Sequence, residues 1–308
     1  MSLIIKSSLK DALPQLSWKN LLKSKRVYLK INMVSASALL SMTPKDTIEE
    51  TIRFLREKLN YSGEIIIIEG SATGGSTQDG FRRLGVSDLS KKYGLELMDI
   101  HDDEMYEVTL FNSRFEELRI PISKTLVDAP FIISLCRAKT HDTVVVTLSI
   151  KNIAVGGIVG KGNRPRIHQG YKAININIAI LGAIMMPDIS IIDGRTGMEG
   201  DGPVHGTPKE WGYVFIGNNP VETDAIVAYG MGFRPRDVGY LYHLDKLGFG
   251  NIENIEKRFP KIAEIRTQFK PHTSYEEQLN WKVESDFEKE LLEKAKKIIE
   301  KYPRGRKI

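Results

Sequence analysis

His141, Lys151 and Asp193 are the residues of this sequence best suited to catalysis, and His141 and Asp193 each stand at the end of an apolar run. Imidazole transfers protons near neutral pH, and a lysine in a partly dry cleft can hold an anion or act as a nucleophile. A carboxylate at a strand end can meet a metal, a hydroxyl or a lysine. His141, His168, Asp193 and Glu199 together would offer imidazole and carboxylate ligands to a divalent transition metal, although sequence spacing alone does not fix that geometry. Lys30, Asn32, Ser71, Lys139, Asn152, Lys161 and Asn219 are the candidate anion- or ligand-binding groups. A local excess of positive charge supports that chemistry: Lys151, Lys161, Arg164, Arg166 and Lys172 lie close together in the chain.

Several familiar motifs fail on spacing. The stretch "GGIVGKGN" does not supply the G-x-x-x-x-G-K-[ST] of a Walker loop, because Val155 stands where the first glycine belongs and Gly162 follows Lys161. "IIDGRTGMEGDGP" is not a calcium loop, since Arg195 and Gly197 occupy positions that need oxygen ligands. Its glycines predict a loop approaching a ligand closely, and Asp193 could equally cap a turn. The glycines of "EGSATGG" do not form a dinucleotide fingerprint.

The elements that would position these groups alternate between strand and helix. "EIIIIEGS" and "FIISLCRAK" read as strands buried on both faces, and Val27 to Asn32, "LELMDI", "DISIID" and "YVFIG" read as further strands. Thr43-Pro44 opens a helix with Ile48, Ile52, Leu55 and Leu59 on one side, and "NNP" supplies an Asn cap with proline at the first helical position. Val144 to Ile153 reads as a helix only against the β-propensity of its residues. Ser285 and Glu288 have capping-box spacing. Such alternation predicts an α/β fold: a mostly parallel sheet with helices on both faces, in two lobes around a cleft. The expected lobes are 1–130, with a small antiparallel excursion near 101–124, and 131–308, carrying most motifs. In such sheets ligands gather where strands end, so "KIN", "EGS", "KTH", "DGR" and "GNNP" are expected along one rim.

Composition bounds the rest. The 308 residues carry 41% apolar and 27% charged residues, ordinary for a folded protein. A net charge of +5 favours anionic partners. Nucleic acid is an unlikely partner despite a pI near 9.0, because aromatics do not interleave with the basic residues as stacking would require. A single cysteine, Cys136, excludes an internal disulfide and an iron–sulfur cluster within this chain, and fits a reducing cytoplasm. Charges at Lys6, Lys10, Asp11 and Lys19 argue against an export signal. The longest apolar run, Ile178 to Met186, is too short to span a membrane. Abundant lysine and isoleucine with few glutamines is a thermophile-like composition.

The order "LKIN", "IEGS", "AKTH", "VTLSIKN", Lys161, His168, "IIDGRTGMEGDGP" and "NNPVETDAIVA" resembles the prokaryotic family known as domain of unknown function 362, from about Val27 to Gly250. The resemblance implies that Lys139, His141, Lys151, Asn152, Asp193, Glu199, Gly202 and Asp224 belong to the family's motifs. Members frequently carry an added ferredoxin-like segment rich in cysteine, which this chain lacks. The order His141, Lys151, His168 is also similar to that of the lactate racemase family, whose lysine tethers a nickel-pincer nucleotide. Here the glycine pair follows the lysine instead of preceding it.

These readings lead to an enzyme that binds a small anionic, phosphate- or carboxylate-bearing substrate in a strand-end cleft, with a divalent metal as one option. The cofactor is otherwise unknown, and a homo-oligomer is a further option. A non-catalytic metal- or cofactor-binding protein, or an assembly factor, is the alternative, and the sequence leaves the choice open.

Overall fold

In the computed structural model, which describes residues 2–306, the isoleucines of Glu64–Glu69 divide between two cores. Ile66 and Ile68 pack in one, and Ile65 and Ile67 in the other. A strand buried on both faces must split its side chains in this way, because successive residues point to opposite sides of a sheet. The strands in chain order are β1 (Leu3–Lys6), β2 (Arg26–Lys30), β3 (Glu64–Glu69), β4 (Glu96–Asp99), β5 (Met105–Phe111), β6 (Glu117–Ser123), β7 (Ile132–His141), β8 (Val145–Thr147), β9 (Ile189–Glu199) and β10 (Thr207–Gly217). The main sheet runs β1-β10-β9-β7-β2-β3-β4, with β8 folded back on β7, and β5 and β6 form a separate hairpin.

The fold is α/β with a mostly parallel sheet. Strands β9, β7, β2, β3 and β4 are mutually parallel, while β10 is antiparallel to β9. One face is covered by helices that include Lys45–Arg53 and Val86–Tyr93. The other carries Ser149–Gly156, Gly170–Ile184, Pro220–Gly230 and Ser285–Ile299. Strand β2 pairs with β7, so the expected lobe boundary at residue 130 passes between adjacent strands of one sheet.

After β2 the chain adds β3 and β4 on one side, then returns to place β7 on the other side of β2. Connections therefore leave β2 and β7 in opposite directions. A sheet with such a reversal leaves a crevice at the carboxyl ends of the two strands, where nothing crosses over.

Four expectations need correction. The "DGRTGME" segment is not a loop: β9 continues to Glu199, clamped between β7 and β10. Its glycines serve packing, since a Cβ on Gly194 would lie 2.7 Å from Trp211 Cε3, and one on Gly197 would lie 2.7 Å from Phe269 Cε1 and 3.0 Å from Ala138 O. "YVFIG" runs antiparallel, so "GNNP" lands beside Ser190 at the start of β9, on the rim opposite the crevice. Val144 to Ile153 divides into β8 and the first turn of the Ser149–Gly156 helix. Ser285 is the first residue of its helix, whose N-cap, Glu284, makes no side-chain capping bond.

Gly197→Ala is accordingly expected to destabilise by about 1–3 kcal/mol through overpacking. Urea unfolding should show a lower midpoint at unchanged slope.

Candidate functional site

The crevice between β2 and β7 holds a cleft of about 210 Å³, and its lining includes Asn32, Glu69, His141, Asp142, Lys151, Asn152, Lys161, Arg164, His168 and Pro203. The Ser149–Gly156 helix delivers Lys151 and Asn152. That helix starts at a buried carboxylate: Asp224 accepts the N–H groups of Ser149 and Ile150 at 3.0 and 2.8 Å. Burial pushes the Asp224 carboxyl up to about 8, against the pull of those two donors.

Three buried lysines surround the cleft, and they differ in one respect. Lys30 Nζ donates to Glu69 at 2.6 Å, to Ile31 O at 2.7 Å and to Asn152 Oδ1 at 3.2 Å. Lys139 Nζ donates to Asn32 Oδ1 at 2.5 Å and to Ser41 O at 2.7 Å. Lys151 is only 6% exposed, yet it makes no hydrogen bond and no ion pair with any described residue. Burial lowers its ammonium to about 8, offset by the Asp142 carboxylate and reinforced by Arg164. Lys139 falls to about 7, through burial and then through Lys151.

Asn152 ties the floor together. Its Nδ2 donates to Ser134 Oγ at 3.1 Å and to Lys30 O at 3.2 Å, and its Oδ1 also accepts Asn32 Nδ2 at 3.1 Å. Arg164 bonds the carbonyls of Gly70 and Gly156 and lies 3.9 Å from Glu69, while its Nε has no partner among the described residues. Lys161 Nζ reaches across to Gly75 O at 2.8 Å.

His141 is buried, and burial followed by Lys151 holds its ring down at about 3, so the ring is neutral. Its Nδ1 lies 3.0 Å from the Thr143 N–H and 2.9 Å from Asp142 Oδ1. A neutral ring can satisfy only one of these, by accepting from Thr143 or by donating to Asp142. The first leaves a proton on Nε2 and the second leaves a lone pair there. His168, exposed at the cleft mouth, lies with Nδ1 3.1 Å from Arg164 O. A carbonyl only accepts, so Nδ1 carries the proton and Nε2 is left as a base.

The structure brings together Asn32, His141, Lys151, Asn152, Lys161 and His168 at the cleft, with Lys30 and Lys139 bonded to its floor. It does not bring the other four candidates there. The Asp193 carboxylate is committed to Arg195 at 2.7 Å and to Thr47, beneath the Lys45–Arg53 helix on the other core. Glu199 accepts the Lys270 N–H at 2.9 Å. Ser71 Oγ donates to Thr73 O at 2.8 Å, and Asn219 caps Glu222 N–H at 3.0 Å on the far rim. The metal set of His141, His168, Asp193 and Glu199 is therefore not assembled, because Asp193 sits within β9 facing Thr47 and Arg195. Among the described residues no group of three or more His, Cys, Asp or Glu side chains could hold a metal ion.

Sequence reasoning missed Asp142 as a site residue, and reached Glu69 and Arg164 only as members of the rim segment "EGS" and of the basic cluster. Glu69 carried a signal, a carboxylate closing an all-isoleucine strand, where an acid must find a cation. Among the described residues no helix is long and apolar enough to cross a membrane.

Comparisons with known proteins place this arrangement. A family model described as "Domain of unknown function (DUF362)" matches residues 27–229, more than half of the chain. The thylakoid-associated protein sll1697 of Synechocystis sp. is 29% identical over 149 residues, 47% of this chain and 45% of that protein. The chain thus matches less than half the length of that curated relative. Among solved structures, the lactate racemase apoprotein from Thermoanaerobacterium thermosaccharolyticum is similar at 12% identity and a TM-score of 0.39, over 57% of this chain and 44% of that one. The match over residues 27–229 runs from Val27 in β2 through β10 and takes in every residue lining the cleft, and the chain belongs to the domain of unknown function 362 family.

Proposed function

We infer that the protein is an enzyme acting on a small carboxylate- or phosphate-bearing molecule bound in the cleft. Lys151 holds the negative charge, and His141 or His168 moves a proton. One observation carries this reading: a lysine only 6% exposed whose Nζ opens on the cleft with no hydrogen bond or ion pair among the described residues, beside Lys30 and Lys139 with three and two acceptors. Desolvation disfavours the charged form of a lysine so enclosed, and an incoming anion offsets this by supplying an acceptor. The choice between His141 and His168 follows from their partners. Either tautomer of the neutral His141 ring finds a partner at Nδ1, whereas Nε2 of His168 offers a fixed lone pair. His141 and His168 border the same cleft, but among the described residues no group of three or more His, Cys, Asp or Glu side chains is arranged to hold a metal ion, so no step is routed through one.

Thermal unfolding in phosphate, acetate and malonate tests this reading. An anion at a hundredfold its Kd should stabilise the protein by about 2.7 kcal/mol. Lys151→Met should abolish the shift. Binding requires the ammonium, so affinity should hold below pH 8 and fall roughly tenfold per pH unit above it, as Lys151 loses its proton. Equal shifts in wild type and Lys151→Met would remove the cleft as the binding site.

A further inference from the structure

We propose that Lys151 is an amine nucleophile, forming an imine with a small anion that bears an aldehyde or ketone carbonyl. The inference rests on the reading that this cleft binds small anions, and it names the class of anion. A lysine that only neutralises charge is best served by acceptors, and Lys30 and Lys139 have three and two of them. A lysine that attacks needs its lone pair free, and Lys151 Nζ has no hydrogen-bond partner among the described residues while lying on a cleft. Once Lys151 is the attacking free amine it no longer holds the charge, and the anionic end of the molecule passes to a second cation of the same cleft. Arg164 is 6% exposed, its Nε is buried without a partner, and it lines the same cleft.

The step balances without an oxidant or reductant. The free amine of Lys151 attacks the carbonyl carbon, forming a C–N bond while the carbonyl π pair moves to oxygen, which takes up a proton. The carbinolamine then loses its hydroxyl as water, with a second proton delivered to the leaving oxygen, and nitrogen releases one proton to leave a protonated imine. Ring nitrogens for these transfers belong to the same cleft, where Nε2 of His141 and Nε2 of His168 have no hydrogen-bond partner among the described residues. The lowered ammonium serves the first step. A lysine titrating near 8 carries on the order of a hundredfold more free base at neutral pH than one at 10.5.

The test is reductive trapping on the full chain. Pyruvate or glyoxylate is added with sodium cyanoborohydride at pH 8, and the modified peptide is mapped by mass spectrometry. The expected result is one predominant adduct, on Lys151, suppressed by excess phosphate and absent from both Lys151→Arg and Lys151→Met. Lys151→Arg retains the cation but cannot form an imine, so phosphate should still raise its melting temperature. No adduct on Lys151, or labelling no greater than on exposed lysines such as Lys91, overturns the proposal. If phosphate still stabilises the wild type in that case, the anion-binding reading survives and only the imine falls. If phosphate and acetate also fail to shift the melt, both fall.

Discussion

Glu69→Ala is expected to destabilise the protein by about 3–5 kcal/mol, the usual result of removing one partner of a buried ion pair. Glu69 is 2% exposed and Lys30 is fully buried, with 2.6 Å between Nζ and Oε2. The same carboxylate accepts the Gly70 N–H at 2.8 Å and lies 3.9 Å from Arg164. Its loss would leave Lys30 and Arg164 beside Lys139 and Lys151, with Asp142 as the remaining carboxylate of the cleft lining. Water cannot screen charges held inside the sheet, so added salt should recover little of the deficit. Glu69→Gln keeps the shape and the acceptor for Gly70, and should fall between wild type and alanine. Denaturant unfolding reads all three. A cost below about 1 kcal/mol for Glu69→Ala would mean that Lys30 is neutral in the native protein, since removing the partner of a neutral amine leaves no stranded charge.

Lys151→Met is expected to act in the opposite direction and raise stability. The native ammonium titrates near 8 instead of 10.5, a difference worth on the order of 3 kcal/mol against the charged folded form. Below pH 8 both folded and unfolded chains are protonated at this residue, and the full penalty is present. Between pH 8 and 10.5 the unfolded chain binds more protons than the folded one, so stability rises with pH. Methionine has a similar length and no charge to desolvate, so its variant should be more stable at pH 7 and should lack this rise. Lys139 contributes a slope of its own from about pH 7 upward, so the quantity to measure is the difference between the two stability curves. Equal stability of the two proteins across pH 6–10 would show that the ammonium is solvated after all. A gain in stability joined to a loss of anion binding is the signature of a group retained for function at the expense of the fold.

The sequence displays the parallel core of this protein openly and hides its edges. Runs such as "EIIIIE" and "FIISLC" announce strands covered on both faces, and their polar ends mark the rim where Asn32, Glu69 and His141 meet. Strand direction is not written in composition. "YVFIG" looks like its parallel neighbours, but β10 pairs antiparallel with β9, and this alone carries Asn219 to the other rim. The glycines after Asp193 looked like freedom for a ligand loop. Gly194 and Gly197 are instead the space into which Trp211 and Phe269 pack, which no local pattern encodes because both aromatics are remote in the chain, whereas Gly200 does take a positive φ, in the turn that leads to Pro203 at the cleft. Asp193 was misplaced for a related reason. A strand-end acid and a mid-strand acid read alike until the length of β9 is known. The Ser149–Gly156 helix was obscured by β-branched neighbours, and the residue that fixes its start, Asp224, lies 75 positions away from Ser149.

The ring of His141 is also governed from outside the family match. Gln278 donates to the His141 carbonyl at 2.9 Å and accepts the Val145 N–H at 2.5 Å, where Val145 adopts φ of +68°. Ser274 Oγ donates to Asp142 O at 2.9 Å from the same segment. A β-branched residue holds such a backbone only when its surroundings impose it. The hairpin that aims the imidazole is thus braced by residues 274–278, well past position 229. A different sequence at that brace would remove the backbone bonds that hold the hairpin carrying His141, while the acceptors of Lys30 and Lys139 lie outside it.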